Sequence, residues 1–271
     1  VGSSTSMVIG ADGFPVISYY DVTNWDLMVA KCGNAACSSG NTITTIDSAG
    51  TVGLYTSIAI GADGLPVISY QDGTNGDLRV AKCGNASCSS GNTTTTVDSN
   101  GITGRWTSLV IGTDGLPVIA YEDTTGTNLL IAKCGNIACS SGNTTTTIST
   151  GGIRGIFASM AIGTDGLPVI SYQKDDVDGN LQVTKCGNTS CTLGNTTTVI
   201  DALTTDLGYY TSLAIGTDGL PIVSYYNDTN DDLMVAKCGN ASCTSGNTTS
   251  TIDSAGSRGL WTSIAIGTDG L

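Results

Sequence analysis

The residues best placed to do chemistry are cysteines and aspartates. Ten cysteines fall in five pairs at one spacing: Cys32/Cys37, Cys83/Cys88, Cys134/Cys139, Cys186/Cys191 and Cys238/Cys243. Each pair brackets four residues that begin Gly-Asn. Metal ligation is one reading. A lone pair in each repeat cannot assemble a four-ligand zinc site, however, and the chain has no histidine to help. The spacing therefore predicts five local disulfides, each closing a small loop. Cysteines used this way point to an oxidising compartment, with the protein secreted or on a cell surface.

Small acidic groups also recur: Asp21, Asn24 and Asp26; Asp72, Asn75 and Asp77; Asp228, Asn230 and Asp232. Oxygen ligands so grouped could hold calcium. The plainer reading is a solvated turn in which Asp and Asn bond their own backbone. The spacing and closing glutamate of an EF-hand are missing, and Asp123 and Asn128 break the pattern in one copy. Trp25, Trp106 and Trp261 are candidate stacking surfaces for a sugar ring. Catalytic signals are sparse. Without histidine there is no Ser-His-Asp or Cys-His arrangement. Arg79, Arg105, Arg154 and Arg258 stand at non-equivalent places, so no sialidase-type arginine cluster forms. A carboxylate pair for glycoside hydrolysis could be drawn from the many aspartates. None stands out from its repeats, and Glu122 is the only glutamate. No catalytic residue, and no enzyme activity, is expected on these grounds.

The elements that position these residues repeat. The wording around Thr56-Ser-Ile-Ala-Ile60 returns at Thr5, Thr107, Ala158, Thr211 and Thr262, with a period of 51 residues and one step of 53. The repeats run 5–55, 56–106, 107–157, 158–210 and 211–261, with a partial copy at 262–271 that suggests a piece of a longer array. In the second copy a β-branched run, Thr56 to Ile60, leads through Ala62-Asp63-Gly64 into a strand from Leu65 to Tyr70. All five prolines, Pro15, Pro66, Pro117, Pro168 and Pro221, open this second strand, where a missing N–H is tolerated. Leu78 to Cys83 and Thr93 to Val97 complete four short strands, and no stretch has helical periodicity. Such a unit predicts an all-β chain, a β-propeller with one four-stranded blade per repeat. A β-solenoid is the alternative. The aromatic position before the first strand (Tyr55, Trp106, Phe157, Tyr210, Trp261) is expected to pack between blades.

Charged residues make up 12% of the chain and the net charge is −13, so there is no basic footprint for nucleic acid. No apolar run is long enough to span a membrane. The fourth copy departs most, with a longer loop at 174–178 and a longer connection at 201–210. In a propeller both lie on one face, the face expected to bind.

The segments Tyr55-Thr-Ser-Ile-Ala-Ile-Gly61, Pro66-Val-Ile-Ser-Tyr70 and Asp77-Leu-Arg-Val-Ala-Lys-Cys83 resemble a tandem repeat of large bacterial secreted proteins. The resemblance spans the whole chain. It implies an extracellular, propeller-like array and supplies no catalytic or ligand residue. Repetition, disulfides and scarce catalytic chemistry together give the expectation of a non-catalytic structural or adhesive protein. It would self-associate into filaments or a surface layer, with the strand at Thr262 to Gly267 exchanged between chains. The alternatives are a lectin-like binder of glycans, using the face of the second-to-third strand loops, and more remotely a glycoside hydrolase.

Overall fold

A computed structural model describes residues 2–150, 157–174, 179–201, 207–256 and 258–268. Twenty strands form five antiparallel sheets of four. The first sheet holds β1 (Gly2–Ile9), β2 (Pro15–Asp21), β3 (Asp26–Lys31) and β4 (Thr42–Asp47). The second holds β5 (Val52–Ile60), β6 (Pro66–Asp72), β7 (Asp77–Lys82) and β8 (Thr93–Asp98). The third holds β9 (Arg105–Ile111), β10 (Pro117–Asp123), β11 (Asn128–Lys133) and β12 (Thr144–Ser149). The fourth holds β13 (Ser159–Ile162), β14 (Pro168–Lys174), β15 (Asn180–Lys185) and β16 (Thr196–Asp201), and the fifth β17 (Leu207–Ile215), β18 (Pro221–Asn227), β19 (Asp232–Lys237) and β20 (Thr248–Asp253). Every sheet is a simple meander drawn from one repeat. That order excludes the solenoid, in which strands pair between successive coils, and gives the blades of a β-propeller. No helix occurs among the described residues. The chain forms two compact units, Val1–Thr125 with Ala132–Thr145 and Gly126–Ile131 with Thr146–Leu271.

Burial follows the chemistry of each strand. The apolar β6 is buried at every position, whereas threonine-rich β8 alternates between exposed and half-buried. In the first unit Val16, Leu27, Val29, Val52, Ile58, Ile68 and Tyr70 form one core. In the second, Val169, Leu181, Val183, Leu213 and Val223 do the same. The Asp-Gly turn is as expected. Gly64 has φ +78°, and the Asp63 carboxylate accepts from Leu65 N–H at 3.1 Å. A lysine of the third strand reaches this aspartate, as in Lys82–Asp63 at 2.9 Å and Lys31–Asp12 at 2.9 Å. The Lys31 ammonium, with Phe14 N–H, holds the Asp12 carboxyl below its usual range.

The first strand starts earlier than expected, at Val52, and carries a bulge between Leu54 and Ser57. Its pivot is Tyr55, at φ +53°. Ser4, Trp106, Phe157, Tyr210 and Trp261 share the conformation, with φ from +49° to +65°. A non-glycine residue here carries strain of about 1 kcal/mol or more. Gly53, at φ +96°, lets the strand cross close over Leu27; a Cβ there would lie 2.7 Å from the Leu27 Cα.

Hydroxyls join successive repeats. Thr56 Oγ1 donates to Ser18 Oγ at 2.9 Å, and Ser171 Oγ donates to Thr211 Oγ1 at 2.9 Å. The segment expected to exchange between chains makes the same contacts at home. Ser224 Oγ donates to Thr262 Oγ1 at 3.0 Å, Thr262 Oγ1 donates to Tyr210 C=O at 2.6 Å, and Ile264 N–H donates to Ser212 Oγ at 3.1 Å. It is not a strand, and it is already docked on the fifth sheet.

A second joint is a buried tyrosine donating to the aspartate that ends the preceding sheet. Tyr70–Asp47, Tyr121–Asp98 and Tyr225–Asp201 bond at 2.6, 2.7 and 2.6 Å. Ser149 occupies the aspartate's place before the fourth sheet, and Tyr172 turns instead to Gln182 Oε1 at 3.0 Å. Tyr121→Phe removes a donor from a charged acceptor, an expected loss of about 1.5–3 kcal/mol. Tyr19 occupies the same register and makes no such bond among the described residues. Chemical denaturation of Tyr121→Phe and Tyr19→Phe is therefore expected to show a large shift for the first and almost none for the second; equal shifts would refute the joint.

Candidate functional site

In the first unit, the ends of β9 and β10 gather a charged and aromatic group on the side of the second-to-third strand loops. Glu122 is the cross-strand partner of Arg105 in register. It is 5% exposed, and its Oε2 has no hydrogen-bond partner. Burial pushes its carboxyl above the usual range; the Arg105 charge pulls it down and the Asp123 charge pushes it up. The same register holds Gln71 in the second sheet, whose Nε2 donates to Thr103 C=O at 2.7 Å, and Gln173 in the fourth. Glu122 thus carries the ionisable form of a side chain that its neighbours keep neutral.

Arg105 Nη2 donates to the Tyr55 hydroxyl at 3.2 Å, and its guanidinium lies 5.4 Å from that ring's centroid. Tyr55 and Trp106 have ring centroids 4.4 Å apart, tilted by 51°. The strained bulge aims these rings, so packing between repeats is the structural part of their role. In the second unit the same positions cluster more tightly. Tyr210 lies 4.0 Å from Phe157 and 4.3 Å from Trp261, ring centroid to centroid. Of the three tryptophans, Trp106 occupies a bulge and Trp261 shares its positive φ outside any strand. Trp25 instead sits in the β2–β3 turn, where its N–H donates to Asp21 C=O at 2.7 Å and its ring is exposed.

The acidic loops take the turn geometry. Asp72 accepts from Thr74 N–H at 3.0 Å, Asn75 N–H at 3.1 Å and Asn75 Nδ2 at 2.8 Å. Asp21 does likewise with Thr23 N–H and Asn24 Nδ2, while Asp26 and Asp77 face these aspartates across the strand pair. In the fifth repeat the acceptor is Asn227, bonded by Thr229 and Asn230 N–H, and not the expected Asp228; Asp232 pairs with Asn227 in register. The expectation misplaced the register by one residue, because an amide oxygen serves the turn as well as a carboxylate. Among the described residues no three of His, Cys, Asp and Glu group as a metal site. All five cysteine pairs are disulfides, with Cα atoms 4.8–4.9 Å apart. They mark an extracellular or otherwise oxidising setting. The variable loop at 175–178 and most of the connection at 202–206 lie outside the described residues, as does Arg154. No helix among the described residues is long and apolar enough to cross a membrane.

No protein-family model matches the sequence, and no curated protein does. Solved structures match the fold. The GH93 α-L-arabinofuranosidase of Fusarium graminearum in complex with arabinobiose aligns with a TM-score of 0.62 and 10% identity, over 99% of this chain and 85% of that one. An endo-arabinase from Bacteroides thetaiotaomicron aligns at 0.55 and 10%, over 82% and 88%. A protein of unknown function from Dyadobacter fermentans aligns at 0.62 and 13%, over 84% and 72%. At these identities the likeness is one of fold. It nonetheless corrects the expectation of a non-catalytic structural or adhesive material, because solved structures with this fold include glycoside hydrolases. Glycoside hydrolysis needs carboxylates, not histidine. Glu122, the chain's only glutamate, stands where the other repeats carry Tyr20, Gln71, Gln173 and Tyr226, and that difference was the available signal.

Proposed function

We propose that the protein is an extracellular carbohydrate-active propeller that cleaves glycosidic bonds, with Glu122 donating a proton to the leaving oxygen. The observation that carries this is the buried carboxyl of Glu122, whose Oε2 has no partner and whose burial favours the protonated form. A general acid needs that state near neutral pH. Asp123, whose charge reaches Glu122, follows it on β10 and so projects to the opposite face. Tyr55 and Trp106 supply ring faces for a sugar. Two of the solved structures that share the fold are an α-L-arabinofuranosidase and an endo-arabinase, which makes arabinose-containing substrates the first panel. The test is sugar release from arabinobiose, linear arabinan and nitrophenyl arabinofuranosides between pH 4 and 8. Turnover with an alkaline limb above the ordinary glutamate range is expected. Absence of product across that panel and across xylan, galactan and pectin would sink the reading.

A further inference from the structure

Among the described arginines, Arg105 is the one that makes no salt bridge, although its charge reaches the Glu122 carboxyl. Arg79 bonds Asp47 at 2.7 Å and lies 3.8 Å from Asp72, and Arg258 lies 3.5 Å from Asp253. Arg105 has no carboxylate within 4.0 Å among the described residues, although Glu122 is its strand partner. Of the five N–H donors of a guanidinium, it uses one among the described residues, on the Tyr55 hydroxyl. The guanidinium carbon lies 5.4 Å from the Tyr55 ring centroid, within cation–π reach, and the side chain is half-buried. A half-buried, pre-oriented fork beside two ring faces and a buried carboxyl is suited to a planar anion held in two parallel hydrogen bonds. In a chain of net charge −13 such a group will not draw anions from afar. Long-range repulsion is screened beyond about 8 Å at physiological salt, so the short contact decides.

We infer that Arg105 binds the carboxylate of an acidic sugar, so that the glycan recognised at the Tyr55–Trp106–Glu122 group contains a uronic acid. This rests on the proposed hydrolase reading and adds the charge of its substrate. Acid and neutral forms of one sugar isolate that charge. Trigalacturonate against its methyl ester, and a glucuronosyl xylotriose against xylotriose, are titrated by calorimetry and by Trp106 fluorescence, beside arabinobiose. The acid is expected to bind about tenfold or more tightly than its neutral counterpart in at least one pair, one charged bidentate contact being worth that factor. In Arg105→Gln the acid-over-neutral preference is expected to fall to near one. Arg105→Lys should recover part of it, since an ammonium keeps the charge and loses the fork. If arabinobiose is bound and cleaved but neither acid is preferred, the inference fails and the hydrolase reading stands. If Arg105→Gln moves the pH profile of cleavage without touching the preference, Arg105 is the counter-charge of Glu122 and the inference fails again. If no sugar binds and none is cleaved, both fall together.

Discussion

Glu122→Gln is expected to lower turnover by about 10²- to 10⁴-fold, the usual worth of a positioned general acid. The substitution keeps shape and removes the proton. Gln71 and Gln173 already stand at the same register, so the fold accepts an amide there. Stability gives the independent check. The folded state raises the pKa of Glu122, chiefly through burial. A carboxyl with a raised folded pKa binds its proton more tightly in the native state. Stability is therefore lost as pH climbs from the unfolded value, about 4.3, through the folded one, and the loss is complete above it. Glu122→Gln is free of that loss. Its denaturation midpoint should match the wild type at pH 4 and exceed it at pH 8. Lost activity with this crossing pattern assigns the acid. Lost activity with a lower midpoint at both pH values would mean that the variant is simply misfolded. Preserved activity would remove Glu122 from the chemistry.

Much of the scaffold can be read directly from residue types. The 51-residue period, the proline opening each second strand, the Asp-Gly turn and the paired cysteines are local signals, and each has the structure its chemistry suggests. The bulge at Tyr55 and Trp106 escapes such reading, because a positive φ at an aromatic residue contradicts local preference and is imposed by packing between repeats. The segment after Thr262 shows another limit of pattern. Its residues have a strand's alternation, yet strands need a paired ladder, and hydroxyl contacts to the fifth sheet hold it instead. Glu122 is visible as a letter but not as a site. Burial and the lack of a partner arise from tertiary placement, so its identity alone could not separate an acid from a surface charge. Ser149 with Gln182 makes a similar point: the change looks arbitrary until Tyr172 is seen to have moved its hydrogen bond.

Full reduction of the five disulfides is expected to unfold the protein. Each closes a loop of sequence separation 5, and chain-entropy reasoning gives about 2 kcal/mol for so short a loop. Together they contribute about 10 kcal/mol, comparable with the whole stability of a typical domain at about 5–15 kcal/mol. The loops are also held without the sulfurs. In the second repeat, Asn85 Oδ1 accepts from Ser89 N–H at 3.0 Å, Asn92 Oδ1 accepts from Gly84 N–H at 3.2 Å, and Asn92 Nδ2 donates to Cys88 C=O at 2.6 Å. Loss of one bridge should therefore be tolerated, with Cys83→Ser/Cys88→Ser costing about 2 kcal/mol or somewhat less. The pairs should not reduce alike. Cys88, Cys139, Cys191 and Cys243 are fully buried, whereas Cys37 is half-buried, so Cys32–Cys37 is the bridge a thiol reaches first. Stepwise reduction with alkylation and peptide mass spectrometry, beside circular dichroism, reads both effects. Early loss of Cys32–Cys37 with the fold intact, then cooperative collapse as the buried pairs open, is the expected course. A β-sheet signal unchanged after all ten thiols are alkylated would show that the asparagine-bonded loops alone hold the blades.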